Sequence, residues 1–204
     1  ITQSQTIFLP NTKRFYEQDG RIIEHKNFYL RNEVLKDIIS KGQFGMVLLS
    51  GAFPHSFEQF DYRLDNKPLR TQDVFKQQFS KGVELILNSG SKPIIVLDNP
   101  RFQSGIENCS ILNERFKRNE SCALDISEFK TQTKNWYAFL DVLQKRFPQI
   151  KIINPNKIIC NKSLCNSELN GIPLYRDSGH LNEIGSRVLG KEYLKRFSNP
   201  LLDE

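Results

Sequence analysis

The sequence predicts an α/β protein, with helices alternating with short apolar strands around a mainly parallel sheet. Three observations predict it. Continuous apolar runs closed by turn residues recur at 45–53, 92–100 and 150–155. Stretches of helical period lie between them. The chain has 204 residues, 38% of them hydrophobic and 25% charged, which suits one packed domain over residues 1–204.

Each element has its own warrant. In "FYLRNEVLKDIIS" (28–40), Leu30, Val34, Leu35, Ile38 and Ile39 recur at helical spacing, and Gly42 follows as a stop. "GMVLLSGAF" (45–53) is an unbroken apolar run flanked by glycine, which predicts a strand buried on both faces. Residues 54–70 read as a polar loop. "TQDVFKQQFSKGVELILNSG" (71–90) predicts a helix with Thr71 as N-cap and Val74, Phe75, Phe79, Val83 and Ile86 in one stripe. "KPIIVLDNP" (92–100) predicts a strand closed by Asp98, Asn99 and Pro100, and a long irregular segment follows it. A helix is expected over 131–148 with Trp136, Phe139, Leu140 and Leu143 inward, then a strand over 150–155. The last helix starts near Asn182 and carries Ile184, Val188, Leu189, Tyr193 or Leu194, and Phe197. In open sheets of this kind ligands sit beyond the carboxyl ends of the strands. That edge receives Ser50-Gly51, Asp98-Asn99 and the loop holding Asp177 and His180.

Composition narrows the function classes. No run approaches the length of apolar sequence that a membrane helix needs. The net charge is +6 and the pI about 9.1, yet basic residues are scattered among acids and no nucleic-acid motif accompanies them, so no nucleic-acid partner is expected. The start, "ITQSQTIFLP", is not a secretory signal and has no initiator Met, which leads us to expect a piece of a longer protein. The cysteines fall as Cys109 with Cys122 and Cys160 with Cys165. Spacings without C-x-x-C or a nearby His argue against a metal and for two local disulfides, 109–122 and 160–165, although four cysteines allow three pairings. Disulfides imply an oxidising compartment. With three His far apart in sequence, no metal and no cofactor is expected.

The chemistry gathers in "IPLYRDSGHLNEIGSRVLGKEYLKRF" (172–197). Asp177 sits three residues before His180, at the entrance to a helix. An Asp in a tight turn can accept a hydrogen bond from one imidazole nitrogen and leave the other free to take a proton from a hydroxyl. Gly179 is expected to give the turn its conformational freedom. Unaided, the spacing fits equally a His that packs at a helix entrance beside a turn-stabilising Asp.

The block "PLYRDSGHLNEIGSRVLG" resembles the last block of the SGNH (GDSL-like) hydrolase superfamily. It is most like SGNH domains fused to membrane acyltransferase-3 proteins, which O-acetylate bacterial surface polysaccharides. The likeness rests on Cys160, Cys165, Pro173, Leu174, Tyr175, Asp177, His180, Leu181 and Gly185. "VLLSGAF" resembles the second family block more loosely, and "IIVLDNP" stands in the place of the third. The resemblance implies a three-layer α/β/α, flavodoxin-like fold and a Ser–His–Asp site. Asp177 would orient His180 as general base, Gly51 would give a backbone N–H to an oxyanion hole, and Asn99 would give a side-chain amide or else serve as a turn residue before Pro100. It also implies a periplasmic or extracellular location, a membrane acyltransferase domain in the same parent protein, and a surface glycan or acyl-glycan as substrate.

The family's first block, a strand followed by Gly-Asp-Ser, has no counterpart in this sequence. Three explanations stand. The chain begins after the first strand and helix, so that "TIFLP" (6–10) is the second strand. Alternatively Ser50, at a strand end beside Gly51, substitutes as nucleophile. Against it, Ala-Phe-Pro follows rather than a helix, so the strand-to-helix elbow is missing; Ser178 and Ser4 are weaker candidates. Lastly, the domain is an inactive glycan-binding or partner-interaction module. His25 and His55 read as loop residues, and Trp136 as core.

Overall fold

A computed structural model describes residues 7–59, 61–64 and 71–202; Ser4 and Thr6 lie outside them. The described chain groups into two units. Unit 1 runs up to Val96 and takes in Asn135–Ile152; unit 2 holds Leu97–Lys134 and the chain from Ile153 onward.

Unit 1 opens with a hairpin that the reading above did not contain. β1 (Lys13–Gln18) and β2 (Arg21–Glu24) pair antiparallel through Asp19-Gly20, both at positive φ. Asp-Gly is the residue pair that a two-residue turn of this hand favours. Helix α1 (Lys26–Ser40) follows, then β3 (Met46–Ser50), α2 (Phe53–Gln59), β4 (Asp61–Arg63), α3 (Thr71–Asn88) and β5 (Lys92–Val96). β4 joins the hairpin in the order β2-β1-β4. The region expected as a polar loop, 54–70, therefore holds a helix and a strand. β3 and β5 pair in parallel, with Ser50 opposite Val96, in a sheet ordered β3-β5-β7, where β7 is Lys151–Ile153.

Two expectations of burial fail here. β5 is buried along Pro93, Ile94 and Ile95, but β3 is the outer strand among the described residues and leaves Leu48 half exposed. An apolar run identifies a strand without saying whether both of its faces are covered. In α1, Leu30 and Val34 face solvent, and the buried residues are Phe28, Asn32 and Ile39. A polar residue anchors that face. Asn32 Oδ1 accepts from Leu9 N at 2.7 Å and its Nδ2 donates to Phe28 O at 3.0 Å. Residues 7–10 form no strand; Ile7, Phe8 and Leu9 are buried instead as a coil segment tied to α1 through this side chain. Thr71 is the first residue of α3, and its hydroxyl donates to Asp61 Oδ1 at 2.8 Å.

The core of unit 1 is aromatic. Val74, Phe75, Phe79, Val83 and Ile86 of α3 are fully buried, as their spacing predicts. Trp136 stacks on Phe53 at 4.7 Å between centroids, and Phe57 meets Phe75 edge-on at 5.2 Å. Burying each ring contributes about 1.5–3 kcal/mol. Trp136 lies in α5 (Ile126–Arg146), which begins five residues earlier than its apolar pattern predicts.

Unit 2 holds α4 (Cys109–Phe116), β6 (Ala123–Asp125), α6 (Asn156–Ile159), β8 (Leu164–Asn166), β9 (Glu168–Leu169), β10 (Ile172–Pro173) and α7 (Glu183–Arg196). The stretch expected to be irregular thus contains a short helix and a strand. Both expected disulfides form, Cys109–Cys122 and Cys160–Cys165, and Cys165 is completely buried on β8. Phe102 packs edge-on against Tyr175 at 4.7 Å, with Leu174, Ile159 and Leu189 also buried. Ile184 and Leu194 of α7 face solvent, contrary to their places in the expected stripe. Among the described residues no helix is long and apolar enough to cross a membrane.

Candidate active site

The site begins with the seat of α7. Asn182 is its N-cap: Oδ1 accepts from Gly185 N at 2.6 Å. The other end of the same amide reaches back, with Nδ2 donating to Pro173 O at 2.8 Å and to Tyr175 O at 3.3 Å. One side chain therefore closes the helix and fixes the chain that leads into the turn. Gly185 lets the helix sit directly on that chain, because a Cβ there would lie 2.4 Å from Leu174 O. Arg176 N donates to His180 O at 2.9 Å, and Tyr175 bridges Leu181, so residues 175–181 form a closed turn.

Asp177 organises that turn. Its Oδ1 accepts from Gly179 N at 2.9 Å and from His180 N at 2.8 Å. His180 Nδ1 lies 2.9 Å from each carboxylate oxygen. The Gly179 N–H, then the His180 N–H, hold the Asp177 carboxyl down at about 2, so it is an anion at any ordinary pH. An ionised carboxylate at Nδ1 favours the Nδ1–H tautomer, in which Nε2 is the nitrogen free to accept a proton. The imidazole is 70% exposed, open to an incoming group. Gly179 does not adopt positive φ, so the expected need for its conformational freedom is not met here.

Asn99 and Asp98 follow β5 in unit 2. Asn99 Nδ2 donates to Gly179 O at 2.9 Å, with a longer approach of 3.4 Å to Pro100 O. Its amide thus braces the acid–His turn, a task the sequence did not reveal. Burial pushes the Asp98 carboxyl up to about 6, against the Asn99 N–H and the charges of Arg101 and His180. The Tyr175 hydroxyl is buried without a partner of normal hydrogen-bond geometry; burial raises it above its usual range, and Asn99 and Asp98 act on it secondarily. The amide partner is 80 residues away, which is why only the local pair was readable.

Gly51 and Ser50 belong to unit 1. Ser50 ends β3 with an exposed side chain, and α2 starts at Phe53. The expectation that no helix follows Ser50 is therefore corrected: proline is tolerated in the first turn of a helix, and Pro54 sits there. A strand, a short turn and a helix surround this hydroxyl. Ser178 lies within the acid–His turn, giving its carbonyl to Phe102 N at 2.7 Å. His25 precedes α1 near Tyr16, and His55 lies in α2. Among the described residues no group of three or more His, Cys, Asp or Glu could hold a metal ion.

The family model of the SGNH domain (fused to AT3 domains) matches residues 7–195. The chain belongs to this family. Among solved structures, the SGNH domain described here is similar to the periplasmic domain of a lipopolysaccharide acetyltransferase from Salmonella ser. Paratyphi A. The two share 19% identity at a TM-score of 0.56, over 85% of this chain and 65% of that one. A search of curated proteins finds no match. The likeness shows that this SGNH domain has the α/β fold of that neighbour.

Proposed function

We propose that this SGNH domain is an extracytoplasmic O-acyltransferase or esterase acting on acyl esters, acetyl foremost, of a bacterial surface polysaccharide. The observation that carries the reading is the Asp177–His180 pair, with one imidazole nitrogen held by an ionised carboxylate and the ring otherwise exposed. Family membership and the acetyltransferase neighbour support it. Family membership also favours a membrane acyltransferase partner. The two disulfides favour an oxidising compartment, such as the periplasm or the outer face of the membrane.

In the proposed reaction a serine hydroxyl attacks the acyl carbonyl and gives its proton to His180 Nε2, while Asp177 stays ionised. The Gly51 N–H stabilises the oxyanion, a contribution of about 2.7–4 kcal/mol in comparable sites. The imidazolium then protonates the departing oxygen. The acyl group passes to a sugar hydroxyl or to water, which decides between transferase and esterase. Ser50 ends β3 shortly before α2 and is this chain's candidate for that hydroxyl.

The test is His180→Ala in the full-length gene product, scored by glycan O-acetyl content. Loss of acetylation is expected, and unchanged acetylation sinks the reading. Ser50→Ala in the same assay identifies the nucleophile: loss assigns it to Ser50, and retention assigns it elsewhere. A second reading, an inactive glycan-binding module, is favoured by the absence of Gly-Asp-Ser from the sequence. It predicts saturable glycan binding with no turnover of p-nitrophenyl acetate.

A further inference from the structure

Helix α7 is held by one side and open on the other. Gly185 and Leu189 are its buried residues, and Gly185 sits against Leu174 O. Tyr193 packs on Phe197 at 4.8 Å between centroids, and the Lys157 ammonium of α6 lies over the Phe197 ring at 5.2 Å. The opposite side carries Ile184, Arg187, Lys191, Leu194 and Lys195, all exposed. At about 3.6 residues per turn, these five positions fall within about 100° of the helix circumference. Ile184 is 63% and Leu194 55% exposed. Leu201 and Leu202 follow in an exposed turn, where Leu202 N donates to Asn199 O at 3.2 Å. Arg196 brings the cations of α7 to four, against the two acids Glu183 and Glu192, a net +2. Arg187 pairs with Glu183 at 2.7 Å and Lys195 pairs with Glu192. Surface pairs of this kind are weak and readily exchanged for another anion. A solvated salt-bridge face accounts for the charges, but not for two aliphatic side chains set among them.

We propose that the outer face of α7 docks on the surface of an anionic lipid bilayer. Arg187, Lys191 and Lys195 meet the headgroup phosphates, and Ile184 and Leu194 enter the boundary with the acyl chains. Charge complementarity selects an anionic partner. The aliphatic pair selects a bilayer over an acidic polysaccharide, which offers charge without an apolar layer beneath it. The inference goes beyond the proposed reaction and does not depend on His180 acting as a base. It bears on where that reaction takes place. The face begins at Ile184, four residues after His180, and Asn182 ties α7 to the chain leading into the acid–His turn. A docked α7 therefore holds that turn at the lipid boundary, within reach of an acyl donor or glycan carried in the membrane.

The experiment is sedimentation of the purified 204-residue chain with vesicles of phosphatidylcholine, and with vesicles of equimolar phosphatidylcholine and phosphatidylglycerol, at low and at high salt. Binding is expected to the anionic vesicles alone, and it weakens as salt rises. Substituting Arg187→Ala, Lys191→Ala and Lys195→Ala together should lower that binding on the order of 100-fold, about fivefold for each cation. Lys191→Ala alone, expected to bind about fivefold more weakly, decides the matter if the triple variant does not fold. Ile184→Ser with Leu194→Ser should weaken binding by about tenfold or more and keep the salt dependence. Lys81→Glu, at an exposed position of α3, should bind as wild type does, so that net charge alone is not what is measured. Three results overturn the proposal: no binding to the anionic vesicles, an equal loss in Lys81→Glu, or wild-type binding by the Ile184→Ser, Leu194→Ser variant. A wild-type dimer that the same α7 substitutions dissociate overturns it too, and assigns the face to a second copy of the chain.

Discussion

Asp177 takes the Gly179 and His180 backbone N–H groups as well as the imidazole, all within its own turn. Asparagine at 177 keeps an oxygen for the backbone donors but loses the charge and offers an N–H where the imidazole needs an acceptor. Asp177→Asn is therefore expected to leave the turn folded and lower kcat on a chromogenic acetyl ester by on the order of 10²–10⁴-fold, since the wrong tautomer then dominates. A loss of less than about tenfold contradicts the role. This pair was legible in the sequence because every partner lies within four residues. Asn99 was not, because the Gly179 carbonyl that its amide braces lies 80 residues further along the chain. Asp98 also leaves a signature in stability. Its folded-state pKa, about 6, lies above the usual carboxylate value of about 3.9. The folded protein thus holds the proton more tightly, and stability falls as pH rises between those values. Asp98→Asn removes that slope. Its melting temperature relative to wild type is expected to be more favourable at pH 8 than at pH 4, and a difference independent of pH refutes the burial of this charge.

At the scale of elements, short-range chemistry decides what can be read. α3 was legible because its stripe is apolar at every buried turn, from Val74 to Ile86. The face of α1 was misread because its anchor, Asn32, is polar and earns its burial only through Leu9 and Phe28. The β1–β2 hairpin carried its Asp19-Gly20 signal openly, but β4, its third strand, lies far along the chain and has no apolar run of its own. The seating of α7 depends on Asn182, whose amide makes three hydrogen bonds at once. Asn182→Ala removes the cap and both backbone ties, at a cost of about 1–2 kcal/mol in urea unfolding. It should also loosen the turn that holds His180; a change below about 0.3 kcal/mol excludes the seating role. The disulfides differ in loop length, thirteen residues against five. The chain-entropy account assigns about 3 kcal/mol to the longer and about 2 kcal/mol to the shorter. Removing each pair with serine should reproduce that order; the reverse order would show that the bridge buried on β8 stabilises by packing instead.

At the scale of the whole molecule, the chain passes between the two units three times, at Val96–Leu97, at Lys134–Asn135 and at Ile152–Ile153. Each passage falls inside or at the end of an element. The second interrupts nothing in α5, which runs unbroken from Ile126 to Arg146 and belongs to unit 2 at its start and unit 1 at its end. The third falls within β7, whose last residue accepts from Leu97 N at 2.9 Å. Neither unit is a continuous stretch of sequence, and no Pro- or Gly-rich linker separates them. Independent folding units are ordinarily joined by exposed linkers through which few elements pass. We therefore expect one cooperative domain, as the sequence's even alternation of helix and strand implies. Two probes report separately: the fluorescence of Trp136, the single tryptophan, lies in the aromatic core of unit 1, and the His180 imidazole signals lie in unit 2. In urea the two transitions should coincide in midpoint and slope, as a two-state unfolding requires. If the His180 signals are lost at lower urea than the Trp136 signal, unit 2 opens while unit 1 stays folded. The acid–His turn would then sit on the less stable part of the molecule, and the expectation of a single domain would be wrong.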